Sequence, residues 1–108
     1  MSATRRSNPS EIWPGRLKQA RLAAGLSQKE LGVAAGIDPS VASTRVNRYE
    51  VGVHKADYQI SVQLARVLEV PVAYLYCDDD ELASLIVAWH RAGAALRRQA
   101  QRLLLPKA

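Results

Sequence analysis

The sequence predicts an all-α protein, on three observations. Apolar residues recur at spacings of three and four through most of the chain. Glycine and proline interrupt that pattern at helix-length intervals, and no segment shows the strict alternation of a half-buried strand. The 108 residues suit one compact domain plus an extension. They divide into a flexible N-terminal arm over 1–12, a main domain over 13–76 and a C-terminal segment over 77–108.

Each element has its own signal. Residues 1–12 are polar and carry Pro9. Pro14 suits a first helical turn, where its missing N–H is dispensable. Leu17, Ala20, Arg21 and Ala24 follow at helical spacing and Gly25 stops the run, which places a first helix over about 13–24. Ser27-Gln28-Lys29-Glu30 is a capping box, with the Ser27 hydroxyl accepting from the Glu30 N–H and the Glu30 carboxylate from the Ser27 N–H. The second helix carries a narrow stripe of Leu31, Ala34 and Ala35 and ends after two turns at Gly36.

Ile37 plugs the following turn. Asp38-Pro39 reads as the N-cap and first residue of a third helix, over about 39–50, with Val41 or Ala42, Val46 and Tyr49 on its buried face. After a loop through His54-Lys55-Ala56, Asp57 caps a fourth helix with Ile60, Leu64, Val67 and Leu68 on one side. Val70-Pro71 breaks it, and Pro71 starts a short fifth helix carrying Val72 and Leu75. The acidic run Asp78-Asp79-Asp80-Glu81 complements the dipole at the start of a sixth helix. Leu82, Leu85, Ile86, Trp89, Ala92, Leu96 and Leu103 extend that helix toward Leu104, about 25 residues or ~38 Å.

Composition narrows the function. The net charge is +5 and the pI about 9.8, which favours a polyanionic partner, nucleic acid or an acidic membrane surface. One cysteine, Cys77, rules out an intramolecular disulfide. The N-terminus lacks the apolar core of a secretory signal, and no apolar run approaches the ~20 residues that span a bilayer, so a cytoplasmic location is expected. Cys77, His54 and His90 have no metal-ligand spacing and no nucleophile arrangement, so neither an enzyme nor a metal or other cofactor is expected. Tyr58, Tyr74 and Tyr76 read as core or interface residues rather than a base-stacking platform.

Two short helices joined by a glycine-containing turn make a helix-turn-helix unit. The second helix of such a pair presents polar side chains to base edges in the major groove, while the first lies across the backbone with its N-terminus near a phosphate. Arg16-Leu17-Lys18-Gln19-Ala20-Arg21, Gly25-Leu26-Ser27-Gln28-Lys29-Glu30-Leu31, Ala35-Gly36-Ile37 and Tyr49-Glu50-Val51-Gly52 together resemble the phage repressor and Cro-like (XRE-type) helix-turn-helix family. Leu64-Ala65-Arg66-Val67-Leu68-Glu69-Val70-Pro71 is similar to that family's fourth helix and its exit. The resemblance covers about residues 13–76 and implies a five-helix, repressor-like DNA-binding domain without a cofactor.

One departure from the family matters. The stretch from Ile37 to Glu50 is about one helical turn longer than usual. Aligned from Ile37, the residues facing the bases would be Ser40 and Val41; aligned from Glu50, they are Ser43, Thr44, Asn47 and Arg48. The second is preferred, because Val46 and Tyr49 are convincing core residues and Val41 reads base edges poorly. A full extra turn would keep the helix faces in phase. The expected DNA-binding residues are therefore Gln28, Lys29, Ser43, Thr44, Arg45, Asn47, Arg48 and Lys55. The resemblance implies that Gln28 contacts a phosphate or braces a reading residue. Arg48 can pair with guanine and Asn47 with adenine, or either can hold phosphate. Arg45, His54 and Lys55 suit phosphate. Arg21 and Glu50 are expected to form an internal ion pair, and Thr4, Arg5 and Arg6 to be solvated rather than inserted in a minor groove.

These readings converge on a sequence-specific, double-stranded DNA-binding transcription regulator, acting as a repressor and as a homodimer. The alternatives are a DNA-binding antitoxin of a toxin–antitoxin pair, or a protein-interaction module on the same fold. The sixth helix can pack back, dimerise or bind another protein. Packing near Leu82–Trp89 with dimerisation beyond it is preferred, and a membrane role is disfavoured.

Overall fold

Glycine and short polar caps punctuate the chain into helices whose lengths follow those signals. The structure is a computed structural model that describes residues 9–107. Among the described residues there are seven helices and no strands: α1 (Pro9–Ala23), α2 (Gln28–Ala34), α3 (Ala42–Glu50), α4 (Tyr58–Leu68), α5 (Val72–Tyr76), α6 (Asp80–Arg91) and α7 (Ala94–Leu104). Thr4, Arg5 and Arg6 lie outside the described residues.

The capping box forms as expected. Ser27 Oγ accepts from the Glu30 N–H at 2.9 Å, and Glu30 Oε1 from the Ser27 N–H at 2.8 Å. Asp57 caps α4 by accepting from the Ile60 N–H at 2.8 Å, and Asp79 caps α6 by accepting from the Leu82 N–H at 3.0 Å. Gly36 adopts φ 93°, in the left-handed region where a side chain is strained, so the reversal after α2 needs a glycine there.

α2 packs on α3, α1 rests against α3 and α5, and α4 closes the bundle against α2 and α5. Leu17, Leu31, Val46, Leu64 and Leu75 are fully buried where these helices meet. Trp13 fastens α1 to the rest. Its ring meets Tyr49 edge-on at 5.9 Å, and its Nε1 donates to the buried Ser61 Oγ at 3.2 Å. Tyr76 donates to the same oxygen at 3.0 Å.

Several expectations need correction. α1 begins at Pro9, so residues 9–12 are helical rather than part of an arm. Pro14 is the sixth residue of the helix and not in its first turn, so its missing N–H costs one ladder bond, to the Ser10 carbonyl. In α2 the buried positions are Leu31 and Gly32, followed by Ala35, whereas Ala34 is exposed. The absent side chain of Gly32 is what lets α3 approach.

The third helix does not begin at Asp38-Pro39. Asp38 Oδ1 instead accepts from the Ser40 N–H at 2.8 Å and hydroxyl at 2.6 Å, which ties residues 38–41 into a turn. α3 starts at Ala42, with Val41 at its N-cap. The extra residues are thus absorbed before the helix and add no turn to it. Ala42 and Val46 are fully buried and Tyr49 nearly so, while Val41 is exposed.

The single long C-terminal helix is two helices. Ala92 and Gly93 adopt extended backbone between α6 and α7, where glycine's conformational entropy weakens a continuous helix. Arg97 satisfies the carbonyls freed at the bend, donating from Nε to Trp89 O at 2.9 Å and from Nη2 to His90 O at 2.8 Å. Its guanidinium also lies 5.4 Å over the Trp89 ring.

The core does not stop at Tyr76 either. Cys77 and Ala83 are buried in it, and Ile86 and Val87 pack against it. Arg16, itself buried, donates to the Cys77 carbonyl at 3.0 Å and pairs with Asp80 at 3.0 Å. α6 packs inward within the expected Leu82–Trp89 stretch, through Ala83, Ile86 and Val87, while Leu82, Leu85 and Trp89 form its open face.

Candidate nucleic-acid interface

α3 is amphipathic in the way a reading helix requires. Ala42, Val46, Tyr49 and Glu50 face the core, and Ser43, Thr44, Arg45, Asn47 and Arg48 face outward. The loop after α3 folds back on it, because the N–H groups of Val53 and His54 both donate to the Arg48 carbonyl, at 3.0 and 3.3 Å. Gly52, at φ 79°, supplies the left-handed residue that this return needs.

The fold-back brings most of the expected basic residues together. Thr44, Arg45, Arg48, His54 and Lys55 line one open concavity, floored by Val41, Tyr49 and Val53. Three permanent cations and one histidine on one concave face make a surface suited to phosphate oxygens. Ser43 and Lys29 are exposed but do not line it.

Behind this face lies the ion pair of Arg21 and Glu50. The guanidinium grips the carboxylate at two points, Nε to Oε2 and Nη2 to Oε1, the latter at 3.1 Å. Its Nη1 also donates to the Leu26 carbonyl at 2.9 Å. Hydrogen bonding to Glu50 raises the Arg21 pKa against the opposing effect of burial, so the arginine stays charged inside.

Glu50 has a second use that the sequence reading missed. Its Oε1 accepts from Gln28 Nε2 at 3.1 Å, and the same nitrogen donates to Asn47 Oδ1 at 3.1 Å. Gln28 therefore braces Asn47. The available signal was the three-residue spacing of Asn47 and Glu50, which puts both on one side of α3 toward the start of α2.

Residues 17–75, more than half of the chain, match the helix-turn-helix family. The chain belongs to that family, in its XRE-type branch. As a helix-turn-helix protein it is a DNA-binding transcription regulator. The fold is similar to the crystal structure of the transcriptional regulator BswR, with 45% identity and a TM-score of 0.80. The likeness covers 84% of this chain and 90% of that one, a larger share than residues 1–76 could supply, so it runs into the α6–α7 tail. The comparison with curated proteins returned no match. No helix among the described residues is long and apolar enough to cross a membrane.

Proposed function

We propose that this protein is a sequence-specific repressor that docks α3 in the major groove of double-stranded DNA and acts in the cytoplasm as a homodimer. The observation that carries the reading is the concave face shared by Thr44, Arg45, Arg48 and Lys55, held by the buried side of the same helix. In this reading Arg48, Asn47, Thr44 and Ser43 meet base edges. Arg45, Lys55, Lys29 and His54 meet phosphates on either side.

The dimer reading has its own support. Proteins of this kind read two half-sites about one DNA turn apart, which needs a two-fold partner. α6 and α7 leave an apolar concavity lined by Leu82, Leu85, Trp89, Leu96 and Leu104, with Pro71 at one edge. A second copy burying this face would bring two α3 helices under one symmetry axis.

Selection from randomised duplex DNA, followed by a salt titration of the enriched site, tests the proposal. One enriched motif is expected, with two related half-sites. The logarithm of affinity should fall linearly with that of salt; Arg45→Ala and Lys55→Ala should each flatten the slope by about one, whereas Arg48→Ala should relax the preference at one base position. A selection that enriches nothing, or a slope indifferent to both phosphate variants, overturns the reading. Reporter expression that falls when the protein is supplied supports repression; expression that rises assigns activation.

A further inference from the structure

The turn that absorbs the extra residues before α3 leaves an apolar side chain beside its polar face. Val41 is 41% exposed at the N-cap of α3. Its backbone is held from both sides. The Val41 N–H donates to the Asp38 carbonyl at 3.0 Å, and the Val41 carbonyl accepts from the Arg45 N–H at 2.8 Å. Spacings of three and four put Val41, Thr44, Arg45 and Arg48 in one row, and all four line the basic concavity. Isolated exposed valines are ordinary on protein surfaces. This one shares the floor of a concavity with Val53, beneath the cations of Arg45, Arg48 and Lys55.

We propose that Val41 reads a thymine by packing on its C5 methyl group. That methyl is the apolar group that base edges present in the major groove. With Arg45 and Lys55 on phosphates, the apolar floor is left facing the bases. Valine pairs with no hydrogen-bonding edge, but removing this methyl from water needs neither donor nor acceptor. Val41 lies seven residues before Arg48, about 10 Å along the helix direction. At ~3.4 Å per base step, the thymine falls within about three base pairs of the base that Arg48 reads. Val41 is thus a specificity-determining residue, and the assignment rests on the reading of α3 as the recognition helix.

Uracil lacks only that methyl, so single thymine-to-uracil replacements in the selected duplex provide the test. Each half-site should contain a position where the replacement weakens binding about fourfold, the worth of one buried methyl group. That position should lie within about three base pairs of the one that loses its preference in Arg48→Ala. Val41→Ser should bind the thymine and uracil duplexes alike, and Val41→Ala should keep about a twofold difference. Val51→Ser, at an exposed valine outside the concavity, should keep the full difference. With cytosine at that position, a 5-methyl group on the base should tighten binding of the intact protein but not of Val41→Ser. Thermal melts check that each variant is folded, and Val41→Ala carries the comparison if the serine variant is not.

An enriched site in which no thymine responds to uracil overturns the assignment and leaves α3 as the reader. So does a response that the Val41 variants leave undiminished. An unsubstituted protein that enriches no site instead defeats the reading of α3, and this assignment with it. The two failures are therefore distinguishable.

Discussion

Gly32 in α2 lies so close to Ala42 that a Cβ on the glycine would sit 2.8 Å from the alanine Cβ and 3.1 Å from its carbonyl oxygen. The third near atom, Val46 Cγ2 at 3.1 Å, belongs to a fully buried side chain, so the neighbours have little room to yield. This contact sets the approach of the two helices of the helix-turn-helix unit. Gly32→Ala should destabilise the protein by about 1–3 kcal/mol through overpacking, despite alanine's better helix propensity. Urea unfolding measures it. Adding Ala42→Gly should recover part of the loss, and no recovery would place the strain elsewhere.

Arg21→Ala should cost about 3–5 kcal/mol, because it strands the Glu50 carboxylate inside the protein. Arg21→Lys keeps a charge but loses the two-point grip, and should fall between. Chemical denaturation of both variants gives the comparison. A loss under about 1 kcal/mol for the alanine would mean that Glu50 becomes solvated or protonated without cost to the fold.

The Glu30 carboxyl is held below its ordinary value of 4.5, first by the hydrogen bond from the Ser27 backbone and then by that from its side chain. A lowered native pKa means that the unfolded chain binds the proton more readily. This contribution is therefore complete above the ordinary value and is lost as pH falls through the lowered one. Asp38 acts in the same direction through Ser40. Acid melts of Glu30→Gln, which keeps an acceptor but no titrating group, should show a shallower fall in stability below about pH 4.5. An unchanged acid limb would remove Glu30 from the account.

The tail offers a contrast between its two faces. Leu85 and Leu96 are more than half exposed, and Ala83 is 1% exposed. Leu85→Asp with Leu96→Asp should yield a folded monomer in sedimentation, with a melting temperature little changed beyond the loss of the dimer. Ala83→Asp should unfold the domain instead, since it buries an unpaired charge. A parent protein that is already monomeric at micromolar concentration would turn the apolar face toward a different protein, as the antitoxin reading requires.

Most of the helical frame was legible because its signals are local. The Ser27–Glu30 box, the Asp57 cap and the left-handed glycine at position 36 act within a few residues, and the Arg21–Glu50 pair forms as expected, tying the first helix to the end of the third. Asp38-Pro39 shows where local signals mislead. The pair suits a helix start, yet α3 begins at Ala42, where Ala42 and Val46 must meet Gly32 across the turn.

What the sequence by itself determined was the all-α class, the helix-turn-helix unit and the charge that suits it to DNA, all carried by periodicity, caps and composition. Only the tertiary structure decided which way Asn47 faces, which side of α6 is inward and where the tail bends. Each depends on groups distant in sequence: Glu50 acting through Gln28 on Asn47, and Arg16 holding the Cys77 carbonyl and Asp80. Arg97 closes the bend at Gly93 by reaching back to α6 carbonyls. A spacing rule records which residues share a face, but a hydrogen bond chooses its partner only once the chain has brought donor and acceptor together.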